Sequence, residues 1–266
     1  MYVLLTNDDG VNAQGLVTLR QAIARIAEVA VVAPDHNWSA AGHAKTLHKP
    51  LRVNKVTLPD GTPAYASSGA PSDCVALAVL GLLDRTPDLV ISGINHGPNL
   101  GSDLTYSGTV TAAMEGVIAG IRSMAVSLDK AEGGDFRFAA EIAARLAEEF
   151  VKSDLDPHTL LNVNVPALPE TEVKGLRVTR LGRRIYRDAL VARKDPYGRD
   201  YYWIGGEPPQ GVMEEGTDVW ALANGYISVT PVHLDMTDYQ TLERIRGWEL
   251  RLCRPFQAVE VGKGPD

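Results

Sequence analysis

The chain has 266 residues, is 45% hydrophobic and 22% charged, and carries a formal net charge of −7. That length suits one large α/β domain, or a domain with an appendage, around a substantial core. No apolar run reaches the ~18 residues of a membrane-spanning helix, no basic segment precedes the short apolar start, and the negative charge argues against a general nucleic-acid binder.

Residues 2–6 read as a buried strand that stops at Asn7-Asp8-Asp9-Gly10. Leu16, Leu19, Ile23 and Ile26 then recur at helical spacing, and residues 29–33 form a second short strand ending at Pro34-Asp35. The polar stretch HNWSAAGHAKTLHK that follows is long for a compact domain, as functional loops often are. Pro71 opens a helix running to about Leu83, with Ser68 and Gly69 as candidate caps. Residues 88–94 are another apolar strand, stopping at Asn95. The glycine-rich loop NHGPNLGSDLTYSGT leads into a helix from Thr109 to Gly120. MAVSL is a strand, Phe138, Ile142, Leu146 and Phe150 mark a helix, and LLNVNVP is one more strand.

This alternation predicts a Rossmann-like α/β core over 1–173, a mainly parallel sheet with helices on both faces. Strands 2–6 and 88–94 are apolar on successive residues, as strands covered on both faces should be. The pattern changes near residue 174. Residues 174–199 hold nine Lys and Arg against two Asp, and ARKDPYGRDYYWI reads as a β-hairpin turning at Pro-Tyr-Gly. A C-terminal part over 174–266 is therefore expected, with a projecting arm at about 183–204, a strand YISVTPV and a last helix near Tyr239 to Leu252. Tyr186, Tyr201, Tyr202 and Trp203 are too many aromatics for a solvated hairpin, so the arm is expected to serve self-association. The two cysteines, Cys74 and Cys253, lie far apart and form no metal-ligand pair, which suits a reducing cytoplasm.

In parallel sheets ligands bind beyond the carboxyl ends of the strands. Those ends carry Asp8 and Asp9, then Asp35 and Ser39, then Asn95. Two adjacent carboxylates repel, so either water solvates them, one of them caps the next helix, or a cation joins them. Carboxylate, hydroxyl and amide oxygens favour a hard ion such as Mg²⁺ or Mn²⁺. Ser107-Gly108-Thr109 opens a helix, where backbone N–H groups and two hydroxyls either cap the helix or cradle a phosphate. Asn12, Asn99 and Ser102 are supporting candidates. No Walker P-loop, dinucleotide fingerprint, C-x5-R loop, DxDxT or GxSxG is present.

The chain resembles the stationary-phase survival protein SurE family, the metal-dependent 5′/3′-nucleotidases. The resemblance is carried by TNDDG at 6–10, APD with NWSAAG at 33–42, SGAPSDCV at 68–75, SGINHGPNLGSDLTYSGTVTAAMEG at 92–116, NVNVP at 162–166 and ISVTP at 227–231. It implies one divalent cation per subunit on Asp8, Asp9, Ser39 and Asn95. It also implies hydrolysis of nucleoside monophosphates, with some reach to short polyphosphate. Asp8, Asp9 and Asn95 would then be catalytic, and Asn12, Asn99, Ser107, Gly108 and Thr109 would bind the phosphoryl group. A homodimer or homotetramer built through the C-terminal part is expected, with no stable nucleic-acid or membrane partner. Many relatives have glycine after the loop serine, where this chain has Ala40. The competing readings are another metal phosphatase, a non-enzymatic nucleotide sensor using the same pocket, and an interaction protein working through the basic hairpin.

Overall fold

A computed structural model describes residues 1–40, 42–129 and 134–252. Cys253 and Ala41 of NWSAAG lie outside the described residues. In chain order the elements are β1 (Tyr2–Thr6), α1 (Gln14–Ile23), β2 (Glu28–Pro34), β3 (Val53–Thr57), β4 (Pro63–Ser67), α2 (Pro71–Leu77), β5 (Leu89–His96), α3 (Gly108–Ile118), β6 (Arg122–Asp129), α4 (Arg137–Lys152) and β7 (Leu160–Pro166). They continue with β8 (Leu176–Val178), β9 (Arg184–Lys194), β10 (Asp200–Gly211), α5 (Asp218–Ala223), β11 (Ile227–Val232) and α6 (Tyr239–Leu252).

Nine strands form one sheet in the order β3-β4-β2-β1-β5-β6-β7-β11-β8. The run from β4 to β7 is parallel, β3 and β11 are antiparallel to their inner neighbours, and β8 pairs parallel to β11. Burial on both faces explains the continuous apolar strands. Val3 and Leu5 face one core cluster with Leu16, Ala140 and Phe150 of α1 and α4. Leu4, between them, faces the other with Cys74, Val75 and Ala112 of α2 and α3. The chain leaves β1 in one direction for β2 and β4, then returns to lay β5 on the other side of β1. The point between β1 and β5 is therefore a topological switch, where a crevice opens at the carboxyl ends of the strands.

Several elements differ from the sequence reading. Strands β3, β4 and β8 are additional. β3 has three exposed and two half-buried residues, and β8 has three exposed residues, so neither carries a strong apolar signal. The helix opened by Pro71 is α-helical only to Leu77, then widens to a π-turn over Ala78–Leu82. Ala70, not Ser68 or Gly69, occupies its N-cap, and Asp73 accepts the Ala70 amide at 2.9 Å. The hairpin strands β9 and β10 extend to Gly211, beyond the expected 183–204, with Asp195 accepting the Tyr197 and Arg199 amides in the turn. Residues 1–232 form one compact unit. A second unit begins at His233, and in it Asp238 caps α6 by accepting the Thr241 amide at 3.0 Å. Among the described residues no helix is long and apolar enough to cross a membrane.

Candidate active site

The first acid is fixed by the start of α3. Asp8 is 3% exposed, and its Oδ1 accepts the Thr109 hydroxyl at 2.5 Å. The Thr109 backbone also favours the charged form of Asp8, an anion set against the positive end of a helix. Glycine at 108 makes this approach possible, because a Cβ there would lie 2.7 Å from Asp8 Cβ and 2.8 Å from Oδ2. Burial nevertheless pushes the Asp8 carboxyl up, and outweighs the hydrogen bonds from Thr109. Asp9 is pushed up as well, by burial first and by the charge on Asp8 second, with His96 acting in the opposite sense.

The remaining predicted donors come from the neighbouring strand ends. A register shift against β6 falls between Gly93 and Asn95, at the end of β5, and re-aims the strand there. The Asn95 amide donates through Nδ2 to the Gly97 carbonyl at 2.9 Å, which leaves its oxygen for another partner. Ser39 follows β2 in a loop tied to β1 by the Trp38 amide on the Asp8 carbonyl, 2.7 Å. Ala40 has φ +61°, a left-handed conformation that favours glycine.

Asp8, Ser39, Asn95, Asn99 and Ser107 line one cleft of about 220 Å³, together with Ala40, His96, Asp103 and Tyr106. Asp9, which is half-buried, Gly108 and Thr109 stand next to lining residues without lining it themselves, and Asn12 is exposed in the turn after β1 and does not line it. Ser107 Oγ accepts the Val110 amide at 3.1 Å as the α3 N-cap and keeps its O–H to donate, whereas Thr109 donates its hydroxyl to Asp8. The Gly108 amide, at the first position of α3, has no partner within the helix. Ser102 lies outside the lining set, and its hydroxyl meets Tyr186 at 3.0 Å.

The donor set fits a hard divalent cation. Oδ2 of Asp9 is buried with no hydrogen-bond partner, beside a second buried carboxylate. Among the described residues no three His, Cys, Asp or Glu side chains cluster; the oxygen-bearing side chains that line the cleft with Asp8 include Ser39 and Asn95, a chemistry suited to a hard cation.

Sequence reasoning missed the groups that hold this arrangement. Asn162 and Asn164, both fully buried on β7, donate to the Asn99 carbonyl at 2.9 and 3.0 Å, and Asn164 Oδ1 accepts the Asn99 amide at 2.8 Å. The Asn99 side chain in turn donates to Ser127 at 2.8 Å. The signal was two amides at alternate positions in an apolar strand, which places them on one face. Asp218, fully buried, accepts the Gly101 and Gly182 amides at 2.8 and 2.6 Å and so clamps the same loop from α5.

Comparison with known proteins agrees with this geometry. The family model described as "Survival protein SurE" matches residues 3–188. A 5′-nucleotidase SurE of Chloroflexus aggregans is 55% identical over 251 residues, covering 94% of this chain and 99% of the relative. The 5′-nucleotidase SurE of Herpetosiphon aurantiacus is 53% identical over 247 residues, covering 92% and 97%. The crystal structure of a SurE protein from Aquifex aeolicus superposes with a TM-score of 0.81 at 43% identity, covering 94% of this chain and all of that one.

Proposed function

Because the chain belongs to the SurE family, we propose that it is a metal-dependent 5′-nucleotidase, hydrolysing nucleoside monophosphates to nucleoside and phosphate at the β1–β5 cleft. The observation that carries this reading is Oδ2 of Asp9, buried beside a second buried acid and unpartnered. Asp8, Asp9, Ser39 and Asn95 would hold the divalent ion, Mg²⁺ or Mn²⁺. When bound it supplies Lewis-acid polarisation of a phosphoryl oxygen and acidifies water.

The chain's own residues do the rest. Thr109 and the start of α3 favour the charged form of Asp8 against its burial and fix its direction. Gly97 orients Asn95 by taking its amide hydrogen. The Gly108 amide at the helix start, with Ser107 and Asn99 lining the same cleft, provides fixed dipoles for the phosphoryl oxygens. The buried Asn162–Asn164–Asn99 network removes the freedom that loop 97–101 would otherwise have, so no reorganisation is needed as charge develops.

Short polyphosphate fits the same chemistry, since its terminal phosphoryl group presents similar oxygens. The hairpin supports a homodimer or homotetramer: Leu190, Trp203 and Ile204 are 69%, 64% and 83% exposed on a two-stranded ribbon with no sheet behind it. The deciding experiment is phosphate release from a panel of nucleoside monophosphates, sugar phosphates and tripolyphosphate after chelation and addition of Mn²⁺ or Mg²⁺. Metal-dependent turnover of nucleoside monophosphates is expected. Nucleotide binding without turnover would replace the enzyme by a sensor, and preference for sugar phosphates would replace the substrate class.

A further inference from the structure

A dianionic substrate enters a cleft whose wall carries an acid that no proposed cation ligand set includes. Asp103 lines the cleft, in the 3-10 turn Gly101–Thr105 just before α3. Uncompensated, its charge would oppose a phosphate monoester bound in the same cleft. The compensation comes from the root of the hairpin. Arg184, the first residue of β9, places Nε 2.9 Å from Asp103 Oδ2, and the two side chains are only 14% and 20% exposed. Tyr186, two residues on, donates its hydroxyl to Asp103 and also meets Ser102 Oγ at 3.0 Å.

The approach is built into the backbone. Gly101 has φ +53°, and a Cβ on it would lie 2.3 Å from the Gly182 carbonyl oxygen and 3.1 Å from Arg184 Cγ. Arg184 therefore packs directly over the turn that carries Asp103. On its other side Arg184 borders a separate cavity with Asp129, which does not line the cleft.

We propose that Arg184 is a positioning residue of the phosphate cleft, supplied by the hairpin root, which neutralises Asp103 so that a phosphate dianion can enter. The inference rests on the reading of the cleft as a phosphomonoester site, and it gives the hairpin a part in substrate affinity in addition to any part in assembly.

The test is a charge-rescue cycle on the full chain with metal present. Arg184→Gln should raise KM for a nucleoside monophosphate about tenfold with kcat little changed, the size expected for one unscreened charge acting on a dianion. Raising the ionic strength should shrink the defect, because salt screens this repulsion but does not mend packing. Asp103→Asn added to Arg184→Gln should restore KM to within about twofold of wild type by removing the repelling charge itself. Asp103→Asn alone keeps both shape and the hydrogen bond from Tyr186 but leaves Arg184 unopposed, and should lower KM; a raised KM would count against the proposal. Arg184→Gln with unchanged KM would overturn the proposal. So would a KM defect that survives both salt and Asp103→Asn, or one that Asp129→Asn rescues instead. A wild-type protein that hydrolyses no monophosphate would instead overturn the enzyme reading beneath it.

Discussion

Gly108→Ala tests how closely the acid is fitted to the helix. The new methyl would lie 2.7 Å from Asp8 Cβ and 2.8 Å from Oδ2. That is roughly 1 Å inside the 3.5–4.0 Å at which carbon atoms attract. Asp8 cannot swing away freely, being 3% exposed and held by Thr109 at 2.5 Å. Overpacking of this kind costs about 1–3 kcal/mol. Alanine in place of glycine in a helix returns up to about 1 kcal/mol. The net loss of stability is then about 0–3 kcal/mol, a fall in Tm of at most about 12 °C for a chain of this size. Chemistry is far less tolerant, since a misplacement near 1 Å can cost about 10²-fold. Phosphate release and calorimetric Mn²⁺ titration should therefore show a loss of about two orders in turnover and weakened metal binding, well below the Tm. Gly198→Ala is the control. It sits in the hairpin turn at φ +79° with no atom near its Cβ, so it strains backbone without touching the site. Wild-type turnover and metal affinity in Gly108→Ala would refute the fit of Asp8 against α3.

Asp8→Asn and Asp9→Asn should each reduce metal affinity and turnover by more than the ~10–100-fold typical of losing an outer-shell partner, with the fold retained by circular dichroism. Their pH signature has a definite sign: burial raises both carboxyls, so in metal-free protein the folded chain keeps protons that the unfolded chain has released. Stability from this pair is greatest below the ordinary carboxylate pKa of about 4 and is lost as pH rises through the raised values. The metal-free Tm of wild type minus that of Asp8→Asn should accordingly fall with rising pH, and a flat difference would contradict the burial argument. Thr109→Val should lower metal affinity about 10–100-fold by removing the hydroxyl that orients Asp8, with Thr109→Ser close to wild type; equal titrations for Val and wild type would exclude that role. Asn164→Ala strips Asn99 of an acceptor and a donor, costing about 1–3 kcal/mol. Faster hydrogen exchange at the Asn99 amide and a higher KM are the expected readouts, and unchanged exchange would show that Asn162 alone holds the loop.

The fold was legible where burial is two-sided. Val3, Leu4 and Leu5 are all fully buried because one core faces Val3 and Leu5 and the other faces Leu4, so β1 is apolar at every position. The edge strand β3, VNKVT, has no second apolar face to advertise and reads as loop. The site was legible to the level of strand ends, because a parallel sheet sends the residues after β1, β2 and β5 toward one edge. What a single sequence does not display is which polar groups are already spent. Ser107 and Thr109 look alike at a helix start, as donors for either a cap or an anion. Ser107 Oγ accepts the Val110 amide, and Thr109 Oγ1 donates to an acid 101 residues away in sequence. Arg184 is likewise one of nine basic residues in 174–199 until the fold sets it 2.9 Å from Asp103. Partner accounting therefore narrows the candidates differently from motif matching. Thr109 Oγ1 already has a partner in Asp8, and Oδ2 of Asp9 is buried without one. A buried carboxylate oxygen without a partner is costly in an apolar interior. Its retention beside a second acid is what a cation site requires and what a helix cap alone would not.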